Sequence, residues 1–189
     1  MTDIVSEAIV FSAKAHDGMR RRKSDVPYIM HPMEVGAIVS TMTDNQEVIA
    51  ASVLHDVVED AGVTLAEIGE NFGERVMMLV ASETENKRED LPPEETWRIR
   101  KEESLEKLKN AEDIGVPMMW LGDKLSNIRS IYRDFKAEGA DVWKHFHQSD
   151  VNVQAWYYRS IMKYTERLSG TEAWNEYKAL VEQLFGKED

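Results

Sequence analysis

The sequence predicts an all-α helical bundle, and three observations predict it. Apolar residues recur at helical spacing along most of the chain, as in Ile4, Ala8, Phe11 and Ala15. No alternating apolar–polar run lasts more than a few residues, so no strand pattern competes. Helix-capping residues and glycines punctuate the apolar segments. At 189 residues, 42% hydrophobic and 31% charged, the chain can bury a core of its own as a single domain over 1–189.

The first helix is expected over about 2–16, followed by a loop holding Gly18, the run Arg20-Arg21-Arg22-Lys23 and Pro27. His31-Pro32 opens a second helix through about 41, with proline in a tolerated first-turn position. Asp44, with Glu47 three residues on, has the form of a capping box and starts the third. That helix is apolar nearly all round over 48–54, which places it at the centre of the bundle. It carries on through 55–60 and ends at Gly62. Thr64 and Glu67 cap a short fourth helix, and a fifth covers about 74–82.

Residues 83–95 are polar, rich in carboxylates and contain Pro92-Pro93; they are expected to form a loop that could serve as a lid. A charged helix over 97–112, another beginning at Pro117, and two aromatic-rich helices over about 150–168 and 171–185 complete the bundle.

Composition excludes several chemistries. There is no cysteine, so disulfides, thiolate metal sites and thiol nucleophiles are absent, and any metal must be held by His, Asp, Glu or water. No apolar run approaches the roughly 20 residues of a membrane helix. The N-terminus lacks the pattern of a signal peptide, so a cytoplasmic location is expected. A net charge of −12 argues against a generic nucleic-acid binder, and against that background the basic run at 20–23 stands out. Nothing in the sequence sets the oligomeric state.

The chemistry concentrates in His55-Asp56-Val57-Val58-Glu59-Asp60, four ionisable groups at the end of the most apolar helix. Burying them is costly unless they are paired or bind a metal. On a helix, Glu59 follows His55 by one turn and Asp60 follows Asp56 by one turn. A metal pair beside an acid/base pair fits this spacing; so does a polar helix end dissolving into a loop. His31 and Asp123 are further candidate ligands. Asp123, Asn127 and Ser130 fall at i, i+4 and i+7, a polar stripe that a solvated face would also explain.

Taken together, these residues resemble a known family. His31…His55-Asp56…Asp123 has the H…HD…D order of the HD-domain metal-dependent phosphohydrolases. The flanking sequence is sharper. Ala15-His16-Asp17-Gly18 and the stretch from Arg22-Lys23-Ser24 to Tyr28-Ile29-Met30-His31-Pro32 are similar to AHxG…RKSGEPYIxHP. Leu54-His55-Asp56-Val57-Val58-Glu59-Asp60 matches LHDVVED, and the segment from Leu121 to Arg129 is similar to LADRLHNMR. These motifs, spread over roughly 5–135, are those of the hydrolase domain of RelA/SpoT-type enzymes and of small alarmone hydrolases.

The resemblance implies an all-α HD-domain bundle with the C-terminal helices packed on it. It implies a Mn²⁺-dependent enzyme of the stringent response, which removes the 3′-pyrophosphate of ppGpp or pppGpp to give GDP or GTP plus pyrophosphate. His31, His55, Asp56 and Asp123 would hold the metal. Glu59 and Asp60 would orient or activate water. Arg22 and Lys23 match residues that meet the nucleotide, while Asn127 and Ser130 match positions near ribose and base. The basic loop is one residue longer than the family's, so Arg20 or Arg21 could take the role of Arg22; Gly122 replaces Ala and Ser130 replaces Thr. The partner expected is a small-molecule nucleotide, with no nucleic acid and no membrane. Length leaves no room for a synthetase, TGS or ACT-like region in these residues. Rival readings are an HD phosphohydrolase for NADPH or a (d)NTP, and a non-catalytic alarmone-binding module. His145 and His147 read as surface residues, and Trp156-Tyr157-Tyr158 as core, with purine stacking the alternative.

Overall fold

The computed structural model describes residues 3–21, 24–86, 88 and 90–187. Every regular element among them is helical, and the one extended contact is an antiparallel bridge between Arg20 and Pro27. Helix α1 (Ile4–Ala15) starts where the Asp3 carboxylate accepts from the Ser6 amide. Helix α2 (Met30–Val39) carries His31 and Pro32 in its first turn. Helix α3 (Gln46–Leu54) is buried at every position from Val48 to Leu54 and packs against α1, α2, α6 and α8, so it is the central helix the apolar run predicts.

Two expectations about α3 need correction. Its N-cap is Asn45, whose side chain accepts from the Glu47 and Val48 amides; Asp44 lies one residue outside. The helix also does not continue through 60. It stops at Leu54, His55 and Asp56 form a turn, and a four-residue helix α4 (Val57–Asp60) follows. Periodicity could not show the break, because Asp56 keeps right-handed helical backbone angles (φ −94°, ψ −8°) and the direction changes by local tightening. Gly62, at φ +71°, then turns the chain out of α4 in the left-handed region that glycine adopts without strain.

Helix α5 (Leu65–Phe72) has the predicted capping box, with Thr64 and Glu67 bonded reciprocally. Helix α6 (Glu74–Glu83) is followed by the polar loop. Helix α7 (Pro93–Lys109) starts four residues earlier than predicted, because Pro93 occupies the first helical position. The described residues of that loop are tied to α7: Glu85 pairs with Arg100 and Lys101 at 2.9 and 2.6 Å, and Arg88 is bidentate on Glu103.

The long helix α8 (Gly115–Glu138) brings Asp123 against α2. Gly122 permits this approach: a Cβ there would sit 2.7 Å from Val39 Cγ2, closer than packed atoms come. An alanine at this position would therefore require α2 and α8 to separate beside the site. A 3-10 helix (Gly139–His145), not foreseen from periodicity, leads to α9 (Val151–Tyr164). The predicted 150–168 helix is interrupted at Thr165, with 166–168 in a separate 3-10 turn. Helix α10 (Glu172–Phe185) packs back on α8 and α9. No helix among the described residues is long and apolar enough to cross a membrane.

Candidate metal centre

The break after α3 creates the site. The turn at 55–56 aims the His55 and Asp56 side chains toward His31 from the first turn of α2 and Asp123 from the middle of α8. Four donor atoms converge. His31 Nε2 lies 3.1 Å from Asp123 Oδ1 and 3.5 Å from Asp56 Oδ2. His55 Nε2 lies 3.0 Å from Asp56 Oδ2 and 3.7 Å from Asp123 Oδ1. Donors bonded to a divalent ion at about 2.1 Å sit roughly 3–3.5 Å from one another, so the spacing suits one ion. His31, His55 and Asp123 are buried, and the Asp56 side chain is 18% exposed.

The hydrogen bonds behind the imidazoles leave their inner nitrogens bare. His55 Nδ1 is 2.8 Å from the Ser52 carbonyl, so it must donate. His31 Nδ1 is 2.8 Å from Ser126 Oγ, whose own proton goes to Glu34 Oε2 at 2.8 Å. With its Nδ1 proton so directed, each ring when neutral has its lone pair on Nε2, the arrangement that supports metal ligation. His55 Nε2 is buried and makes no hydrogen bond among the described residues, although Asp56 Oδ2 lies 3.0 Å away. An orphaned nitrogen in a pocket with two carboxylates fits a cation, and two N and two O donors fit a divalent metal of borderline or hard character.

Electrostatics point the same way. Burial alone would lower the His55 pKa, but the Asp56 and Asp123 carboxylates outweigh it and push it up to about 10. Burial would raise Asp56 and Asp123, yet the neighbouring cationic groups, His55 for the first and Lys124 for the second, hold both below the usual carboxylate range. The field that favours a proton on His55 would favour a divalent cation more strongly.

Glu59 and Asp60, on α4, line the same pocket of about 170 Å³ as the four ligand candidates. The Tyr28 hydroxyl is 2.7 Å from Asp56 Oδ2 and 3.0 Å from Asp60 Oδ2, so its proton is shared between a ligand candidate and an acid/base candidate. Glu59 Oε2 accepts from the Glu85 amide at 3.4 Å, which joins the polar loop to the site.

Beside this pocket, and sharing His31 and Asn127 with it, lies a cavity of about 700 Å³. Arg21 and Ser130 line it, so the structure groups three of the five predicted substrate contacts. Arg21 Nη2 is 3.5 Å from Asn127 Oδ1, and Asn127 Nδ2 donates to Asp123 Oδ1 at 2.6 Å. Arg22 and Lys23 lie outside the described residues. Arg20 is exposed. His147 is exposed, as predicted, whereas His145 is half-buried at the cavity wall and meets Glu138 at 2.8 Å. Tyr157 and Tyr158 are core; Tyr158 also reaches the cavity, and half-buried Trp156 stacks under Arg98.

Sequence reasoning missed Tyr28, Ser126 and Glu34, which hold the ligand candidates, and Glu83, Lys101 and Lys124, which line the metal pocket. Lys124 sits next to Asp123 in sequence and forms an ion pair with it, a signal the sequence did offer. Burial pushes the Glu83 carboxyl up, with the Asp123 carboxylate adding to the effect, to about 8. Its importance depends on tertiary burial, and no sequence spacing marks it.

Comparison with known proteins supplies the class. The HD domain family model matches residues 8–149, and the chain belongs to that family. The chain is 35% identical over 130 residues to the GTP pyrophosphokinase rsh of Brucella ovis, a match covering 68% of this chain but 17% of that protein. It is also 35% identical over 134 residues to the guanosine-3′,5′-bis(diphosphate) 3′-pyrophosphohydrolase MESH1 of Xenopus tropicalis, covering 69% of this chain and 70% of that one. A solved metazoan ortholog of SpoT that hydrolyzes ppGpp superposes with a TM-score of 0.78 at 22% identity, over 99% of this chain and 98% of its own. That likeness extends the shared fold through the C-terminal helices.

Proposed function

We propose that the chain is a (p)ppGpp 3′-pyrophosphohydrolase, dependent on a divalent metal and acting on a small soluble nucleotide. The observation that carries this is the convergence of His31, His55, Asp56 and Asp123, with Glu59 and Asp60, in a pocket that adjoins a cavity of about 700 Å³. The relative named for 3′-pyrophosphohydrolysis, matched over most of its length, supports the substrate.

A bound metal would polarise the diphosphate and lower the pKa of water. The chain's own residues do the rest. Glu59 and Asp60 take and return the proton of the attacking water, with Tyr28 fixing the Asp60 carboxylate. Arg21, with Arg22 and Lys23, neutralises nucleotide phosphates, and Asn127 and Ser130 contact ribose and base. Mn²⁺ is the proposed ion because a mixed imidazole–carboxylate set suits it. The proposed setting is the cytoplasm during the stringent response.

The test is a Mn²⁺-supplemented substrate panel of ppGpp, pppGpp, NADPH and dNTPs, resolved by chromatography over time. The expected products are GDP from ppGpp and GTP from pppGpp, each with pyrophosphate. Orthophosphate as first product, or turnover of NADPH or a dNTP without ppGpp, would replace the substrate; no turnover with metal bound would leave a binding module.

A further inference from the structure

Glu83 is the last residue of α6 and is 8% exposed. Neither carboxyl oxygen has a hydrogen-bond partner among the described residues. Burying a carboxyl without a partner is costly, and native structures rarely tolerate it without a use. Packing does not ask for it: the other buried positions of α6 are Val76, Leu79 and Val80, and an apolar side chain would serve as well. Glu83 does share the 170 Å³ pocket with His55, Asp123 and Lys124. Its partner must therefore come from what the pocket holds.

Two occupants could satisfy it, a second cation or a water molecule. Six carboxylates and two lysines line the pocket, Lys101 paired with Glu85 and Lys124 with Asp123, and the Lys124 ammonium, close enough to act on Glu83, weighs against a second cation at that carboxyl. A water carries no charge and can donate to a carboxylate or accept from a carboxylic acid. We propose that Glu83 is a positioning residue whose carboxyl group fixes a water molecule in the metal pocket, beside His55 and Asp123. This rests on the pocket's binding a metal but not on the identity of the substrate.

The test uses the full chain with Mn²⁺ alone as probe, comparing wild type with Glu83→Leu and Glu83→Gln. Calorimetry gives the number of ions, and the relaxation of water protons by bound Mn²⁺ reports water held at the ion. One Mn²⁺ per chain is expected in all three proteins. Glu83→Leu should alter the relaxation and lower kcat by roughly 10–100-fold, the usual effect of losing an outer partner of a metal site, with KM little changed. Glu83→Gln, which keeps the size and polarity, should restore much of both. Should Glu83→Leu fail to fold, Glu83→Met, unbranched and close in length, carries the same comparison. Wild-type relaxation and kcat in the apolar variant would overturn the proposal. So would two Mn²⁺ ions in the wild type falling to one in the variant, which would make Glu83 a ligand of a second cation. Because the relaxation and stoichiometry need no nucleotide, a failure to hydrolyse (p)ppGpp would overturn the function proposed above and leave this reading standing.

Discussion

Around the turn between α3 and α4 the protein buries His31, His55, Asp123 and Ser126; around α9 and α10 it buries Trp143, Tyr157, Tyr158, Trp174 and Tyr177. The second group is satisfied almost entirely by its own contacts, the exception being the buried Tyr157 hydroxyl, which has no partner among the described residues. Tyr158 stacks on Phe185 at 5.8 Å, Trp143 tilts against the same ring at 5.3 Å, and the Tyr177 hydroxyl donates to the Tyr158 carbonyl at 3.0 Å. Such rings combine a large buried area with favourable edge and offset contacts. The first group is not self-sufficient: carboxylates crowd one another, and His55 Nε2 and both Glu83 oxygens lack partners. The contrast teaches that the packing around α9 and α10 is largely complete in itself, while the polar cluster that α2, the α3–α4 turn and α8 carry into the core is poised for a charge it does not itself contain.

The sharpest way to break this division is His55→Ala. It should remove stoichiometric metal and turnover together while the helical circular dichroism persists, since the aromatic region is untouched. Undiminished metal in that variant would remove His55 from the centre. Glu59→Gln and Asp60→Asn act one step later. They should retain metal and lower kcat by roughly 10²–10⁴, the range for lost acid–base catalysis. Wild-type kcat in both would take them out of the mechanism.

The reciprocal experiment is Tyr177→Ala. Tyr177 is fully buried, so truncation should cost about 3–5 kcal/mol, as for other large aromatic residues in cores. Denaturant unfolding reads that loss, and the folded fraction should still take up one metal per chain. A variant that stays stable but loses metal would show that the two regions are not separable.

The same division decides what was legible in the sequence. His55-Asp56 could be read because burying charge in an apolar helix is expensive enough to be noticed in one dimension, whereas His31 and Asp123 joined them as ligands through the resemblance to the family's H…HD…D order. The α3 helix followed from its apolar run, and Thr64-Glu67 from capping chemistry. The break at His55-Asp56 was not legible, because both residues keep near-helical backbone angles and no glycine or proline marks the turn. Asp44 and Asn45 are both competent caps, and only the backbone direction chose Asn45. Tyr28 and Glu83 act across 28 or more residues of chain or through burial, so no local pattern marks them. The basic run at 20–23 was legible as charge, but not which side chain faces the cavity; of its described members, Arg21 lines it and Arg20 is exposed.

The smallest effects should appear along a polar thread that joins the two regions. His31 Nδ1 donates to Ser126 Oγ, Ser126 donates to Glu34, Glu34 accepts from Arg129 at 2.9 Å, and Arg129 is bidentate on Glu176 of α10. Each link lies further from the ligand, and beyond Ser126 the thread is partly solvated: Ser126 is fully buried, whereas the Glu34, Arg129 and Glu176 side chains are 38%, 36% and 44% exposed. Losses of Mn²⁺ affinity should therefore be graded. Ser126→Ala removes the group that fixes the His31 tautomer and should weaken binding by roughly 10–100-fold. Glu34→Gln keeps an acceptor for Ser126 and should cost less. Glu176→Gln removes a screened surface charge, worth at most about 1 kcal/mol, and should weaken binding no more than about fivefold. Calorimetric titration of the three variants reads the gradient. A Glu176→Gln loss as large as that of Ser126→Ala would mean that α10 holds the ligand as firmly as α8 does, and the two regions would then be one cooperative unit.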